Sequence, residues 1–147
     1  MTRINADLAF RHLSDQLLNA ELGEITRIFP AVLNRIESNN NFDDIPAEFT
    51  LGEGHAKFFY NKIDFILDRY TRLRAEYKRR TGKEYSIKHL KEKMLQYVRI
   101  SRLRPELRGW YVMTPRDEKI ILDRIQERQR GYKTTHTFYG EPVEKHI

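Results

Sequence analysis

The sequence predicts an all-α fold: a compact single domain over residues 1–147, with three to four helices and irregular loops. Three observations predict it. Apolar side chains recur at steps of three and four in separate stretches, the period of one helical face. Start and stop signals frame those stretches, Ser14-Asp15 and Thr114-Pro115 at starts, Gly82 and Gly131 at ends. The 147 residues are 39% hydrophobic and 33% charged, enough to bury one core beneath a polar surface.

The first helix is expected over residues 14–37, roughly 36 Å at about 1.5 Å per residue. Ser14 and Asp15 can cap its start. Leu18, Leu22, Ile25, Phe29, Val32 and Ile36 form its apolar stripe. Glu21, Glu24 and Arg27 stand at i, i+3 and i+6, on a different face. Pro30 removes one backbone bond, so a kink is expected there. Ser38-Asn39-Asn40-Asn41 ends the helix.

Residues 42–54 show no sustained period but hold Phe42, Ile45, Phe49 and Leu51, which predicts a packed irregular loop. A second helix is expected over residues 55–80. Its seam is Phe59, Ile63, Ile66, Tyr70, Leu73 and Tyr77, and it reads as core. Gly82 follows as its stop. A third helix is expected over residues 86–100, with Ile87, Leu90, Met94, Leu95 and Val98 inward and Lys88, Lys91, Lys93 and Arg99 in solvent. Pro105 breaks the chain. The last helix starts at Thr114-Pro115-Arg116-Asp117, where a threonine cap, a first-turn proline and an acid three residues on give a start signal. Ile120, Ile121 and Ile125 face inward, with Arg124 and Arg128 on another face.

Composition excludes several kinds of chemistry. There are no cysteines, hence no disulfide framework, no thiol nucleophile and no cysteine-ligated metal site. That suits a reducing cytosol, and a cytoplasmic location is expected. No apolar run could span a membrane and no signal-peptide pattern is present, so no membrane partner is expected. His12, His55, His89, His136 and His146 show no ligand spacing, so no metal is expected. No Walker or dinucleotide fingerprint occurs, so no cofactor is expected. The net charge of +6 favours a polyanion, nucleic acid first, although a merely basic globular protein would show the same balance.

The start of the chain carries a specific possibility. Thr2 is small enough that the initiator methionine is normally clipped, which frees an α-amine beside Arg3. Such an amine has a reference pKa of about 7.7–8.0, so roughly a tenth to a fifth of it is neutral at pH 7. Arg3 and Arg27 would lower that value further, since like charge disfavours the protonated form. A neutral amine can attack a sugar's anomeric carbon and form an imine.

Thr2-Arg3-Ile4-Asn5, then Asp15-Gln16, Ala20-Glu21, Glu24, Arg27 and Phe29 resemble the start of the phage endonuclease V family. These are pyrimidine-dimer DNA glycosylases with abasic-site lyase activity. Gly52-Glu53-Gly54-His55 followed by Phe58-Phe59-Tyr60, and Arg108-Gly109-Trp110-Tyr111, resemble the family too, whereas residues 70–104 show little similarity. The resemblance implies that the Thr2 amine is the nucleophile and Glu24 the essential acid. It implies DNA contacts from Arg3, Gln16, Arg27, Arg124, Arg128 and Lys133, with double-stranded damaged DNA as partner and a monomer as the acting species. Phe138-Tyr139-Gly140 keep the end of the family's aromatic tail. Gly23 stands where an arginine is usual, and Thr135 and His136 where aromatics are usual. These departures bear on lesion specificity. Two other classes share the composition: a noncatalytic nucleic-acid-binding helical protein of the same fold, and a helical interaction protein without nucleic acid.

Overall fold

A computed structural model describes residues 3–130 and 136–142. Thr2 and Lys133, two of the expected site residues, lie outside them. The architecture is the all-α one expected. Helix α1 is Asp15–Glu24, α2 Ile28–Glu37, α3 Ile63–Thr81, α4 Ile87–Leu103 and α5 Pro115–Arg130. Two-residue strands β1 (Thr137–Phe138) and β2 (Glu141–Pro142) pair antiparallel in the tail.

Helix α1 starts where its cap predicts, with the Leu17 amide donating to Ser14 Oγ at 3.2 Å. The expected first helix is interrupted, but not at Pro30. The break is a 3-10 turn, Ile25–Arg27, between α1 and α2. A proline ring crowds the carbonyl four residues earlier and supplies no N–H to it. That carbonyl belongs to Thr26, inside the turn, and the Ile28 amide donates to Ile25 O and Thr26 O instead. The kink thus moves upstream, and Glu24 becomes the residue at the break.

Glu21 is the second correction. Spacing puts it with Glu24 and Arg27 on a face other than the apolar stripe, yet its side chain is fully buried, as is that of Arg69 in the middle of α3. Arg69 Nε donates to Glu21 Oε2 at 2.5 Å and Nη2 to Oε1 at 3.0 Å. Periodicity scores a glutamate as solvent-facing; it cannot see a partner 48 residues away.

The seam of α3 is buried as predicted from Phe59 through Leu73. The helix begins at Ile63 rather than at residue 55, because a short 3-10 turn, Lys57–Phe59, precedes it. It ends on Gly82, whose φ of 74° lets its amide reach Lys78 O. Loop residue Phe49 inserts among Phe58, Phe59 and Tyr111 as an aromatic core.

Helix α4 shows a different face from the one predicted. Ile100 is buried and Leu90 and Tyr97 pack on the core. Ile87, Met94, Leu95 and Val98 are 47%, 38%, 73% and 37% exposed. Lys93, assigned to the solvent face, is buried. Two apolar stripes compete on this helix. Tyr97 decides between them: its ring meets Phe29 of α2 edge-on at 6.1 Å, and its hydroxyl donates to Asp64. Lys93 can follow inward because its stem is aliphatic.

In α5 the start signal forms a reciprocal cap. The Asp117 amide donates to Thr114 Oγ1, and the Thr114 amide to Asp117 Oδ2. Ile121 and Ile125 are buried and Ile120 partly so.

The buried pair gives a stability test. Arg69→Leu should cost about 3–5 kcal/mol, because it leaves the Glu21 carboxylate buried and uncompensated. The urea midpoint reads this. A midpoint unchanged from the native protein would show that the pair does not hold α1 to α3.

Candidate active site

The N-terminal arm is fixed before it reaches the helices. Ile4, Ala6 and Leu8 are buried, and so is Asn5. The Ile4 amide donates to His55 Nε2 at 3.0 Å. The Asn5 amide and its side-chain Nδ2 both donate to Glu21, at 3.4 and 2.8 Å. The arm then turns sharply, with the Leu8 amide on Asn5 O and Ala6 at φ 51°. A left-handed alanine costs of order 1–2 kcal/mol, so the surrounding anchors must hold it.

These contacts bring the arm against α1 and α5. Arg3, Asn5, Glu21, Glu24, Arg124 and Arg128 line one narrow cleft of about 10 Å³. Four of the expected site residues, Arg3, Glu24, Arg124 and Arg128, therefore meet. Glu24 is partly exposed, and its Oε1 lies 3.8 Å from Arg27 Nη1, a loose pairing with a half-exposed guanidinium. Next to the cleft opens a larger hollow of about 380 Å³. It shares Arg124 and Arg128 and is lined further by Gly54, His55, Lys57 and Tyr60. Gly54, at φ 90°, allows the turn that presents His55.

The cleft is short of negative charge. Arg124 is pushed down to about 10, first by burial and then by the cations Arg128 and Arg3, with Glu21 and Glu24 acting the other way. It keeps its proton at neutral pH all the same. Arg124 Nη2 donates to Asn5 Oδ1 at 3.1 Å. Arg124 Nε and Arg3 Nε are buried without a hydrogen-bond partner among the described residues. An unmet buried donor costs about 1–3 kcal/mol. Anionic oxygens in the cleft would offset the crowded positive charge.

Gln16 lies elsewhere, near the start of α1. Its Nε2 donates to Thr137 Oγ1, and the Thr137 amide donates to its Oε1. Asp15 beside it accepts from Thr137 Oγ1 and from the Tyr139 and Gly140 amides. Burial raises the Asp15 pKa, but these donors and Arg80 outweigh it and hold the carboxyl below its usual range. Gln16 and Asp15 thus dock the tail hairpin on α1, and Ser14 Oγ bonds His136 Nδ1 at 2.8 Å. At Gly23 neither backbone nor space demands glycine: the nearest atom to a Cβ there is the Tyr85 hydroxyl at 4.0 Å.

Sequence reasoning gave no site role to His55, although it stands in the family-like stretch Gly52-Glu53-Gly54-His55, and none to Arg69; each acts on the arm from more than fifty residues away. Among the described residues no group of His, Asp and Glu is arranged to hold a metal, and no helix is long and apolar enough to cross a membrane.

A family model described as pyrimidine dimer DNA glycosylase matches residues 1–93, well over half of the chain. The match continues past residue 70, where the sequence resemblance was expected to lapse. It includes Arg3, Glu24 and Arg27; Arg124 and Arg128 lie beyond it, and the fold brings them to the same cleft.

The histidines give the protein a pH signature. His12, His55, His89 and His136 are each held below 6.5, with burial the largest cause. Such a group binds its proton more readily in the unfolded chain. Stability is then full above about 6.5 and falls as pH drops below it. Urea midpoints measured from pH 7.5 down to 5.5 should decline, and a midpoint that rises on acidification would contradict these assignments.

Proposed function

The chain belongs to the pyrimidine dimer DNA glycosylase family, and from that premise we propose that it excises ultraviolet pyrimidine dimers from double-stranded DNA and then nicks the abasic strand through an imine on its own α-amine. One observation carries this reading: Glu24 shares a narrow, positively charged cleft with Arg3, which is one peptide bond from Thr2.

Binding comes first. Arg3, Arg27, Arg124 and Arg128 contact phosphates, which supply most of the affinity without reading sequence. The duplex kinks and one base is extruded, as enzymes that act on bases require. In the resembling family the extruded base is the lesion's partner. The hollow beside the cleft, open and bordered by Tyr60, is the place for it.

The Thr2 amine, neutral in part at pH 7, attacks C1′ of the damaged nucleotide. The glycosidic C1′–N bond breaks, and its electron pair leaves with the base. Positive charge develops on the sugar, and the Glu24 carboxylate stabilises it across the cleft. The amine loses its proton, the sugar ring opens and an imine remains. Removal of a proton from C2′, with Glu24 taking part, expels the 3′ phosphate by β-elimination. One chain supplies every group, so a monomer suffices.

Two results test this reading. Glu24→Gln should abolish excision on ultraviolet-irradiated duplex and shift stability by less than about 1 kcal/mol, since only a loose surface pair is lost. On a ready-made abasic duplex it should still form the imine, a step that needs the amine rather than the acid. Full excision by this variant would remove Glu24 from the mechanism. Secondly, if four phosphates are neutralised, log affinity should fall with log salt at a slope of about −3.6. Arg128→Ala should reduce that slope by about 0.9, one contact's share. Arg124 is the less clean target, because it also holds Asn5. Affinity indifferent to salt would count against the cleft as a phosphate site.

A further inference from the structure

We propose that His55 is a positioning residue for the reaction: it grips the Ile4 amide and so fixes the arm two residues along the chain from the Thr2 amine. This rests on the amine mechanism above and adds a residue to it.

The geometry defines the task. His55 Nε2 accepts from the Ile4 amide at 3.0 Å, so Nδ1 carries the ring proton and donates to Thr50 O at 2.8 Å. The ring is buried, and it meets Phe49 and Phe59 edge-on at 5.5 and 5.9 Å. Bonded on both sides and packed between aromatics, the imidazole cannot turn. It reaches Ile4 from 51 residues away. The next amide in the arm, Asn5, donates to Glu21 Oε2. Two consecutive backbone N–H groups are therefore held by two different elements. Release of Ile4 would leave Asn5 as the nearest held backbone amide among the described residues, one residue further from the amine. A displacement of about 1 Å at a reacting atom can cost about a hundredfold in rate.

Only an imidazole puts an acceptor and a donor on opposite sides of one rigid ring here. Its two near-isosteric replacements divide those roles. In His55→Gln the side-chain oxygen falls near Nε2 and can still accept from Ile4. In His55→Asn the amide nitrogen falls near Nδ1, keeps the Thr50 bond and leaves Ile4 unheld.

The experiment is single-turnover borohydride trapping on a preformed abasic duplex, with duplex affinity measured in parallel. With duplex saturating, so that any change in affinity drops out of the rate, His55→Asn should slow trapping by about tenfold to a hundredfold. His55→Gln should recover most of the rate. Equal rates in all three proteins would overturn the role, and so would equal losses in both variants. Acetylating the native amine keeps the two ideas apart. Trapping that survives acetylation overturns the amine mechanism and the role of His55 with it. Trapping abolished by acetylation but indifferent to His55 overturns the positioning role alone. Should the asparagine variant not fold, nitrogen NMR of the native protein decides: a proton on Nδ1 and a slowly exchanging Ile4 amide are expected, and a proton on Nε2 would contradict the grip.

Discussion

The ion pair between Glu21 and Arg69 is the constraint on which the site depends. Both side chains are fully buried. Taking two charges out of water costs several kcal/mol per ion, and the pair is tolerable only when further hydrogen bonds satisfy what remains. Here they do. Glu21 also accepts from Asn5, and Arg69 Nη1 donates to Leu8 O. The same two side chains thus tie together α1, α3 and both ends of the turn at residues 5–8. Glu24 is three residues after Glu21, on the adjacent turn of α1. The pair that fixes the arm against α1 thereby fixes it against Glu24.

The opposite end of α1 uses the same device for the tail. The Arg80 side chain is buried and donates to Glu76, Asp15, Phe10 O and Leu13 O. Tyr139 closes the network by donating its hydroxyl to Glu76 while Arg80 stacks on its ring. The two networks differ in one respect. At the tail the cations are matched by carboxylates, whereas in the cleft Arg3, Arg124 and Arg128 outnumber Glu21 and Glu24, and two guanidinium nitrogens there have no partner among the described residues. A surplus of positive charge destabilises the free protein and favours a polyanion.

Much of this was legible in the sequence, for physical reasons. The stripe Leu18, Leu22, Ile25, Phe29 and Val32 is buried because helical period alone sets which residues share a face. The caps at Ser14 and Thr114 formed because they are local. Errors arose where the deciding partner was distant. Helix α4 carries two apolar stripes, and only contact with Phe29 and Asp64 selects the one bearing Tyr97. Glu21 reads as a solvated acid until Arg69 stands opposite it. In the candidate site, the N-terminal pattern pointed to Glu24 and Arg3 and the family resemblance to Arg124 and Arg128, and these four share one cleft. The grip of His55 on Ile4 was not, because it depends on the path of an irregular loop and on no spacing.

The central claim is that the covalent bond to DNA forms at the α-amine of Thr2, and mass spectrometry of the reduced adduct tests it most directly. The protein would be incubated with an abasic duplex, reduced with borohydride, digested and mapped. The account predicts a single modified peptide that starts at Thr2 and carries the sugar remnant on its terminal nitrogen. A remnant on Lys133, or on any other lysine, would contradict it.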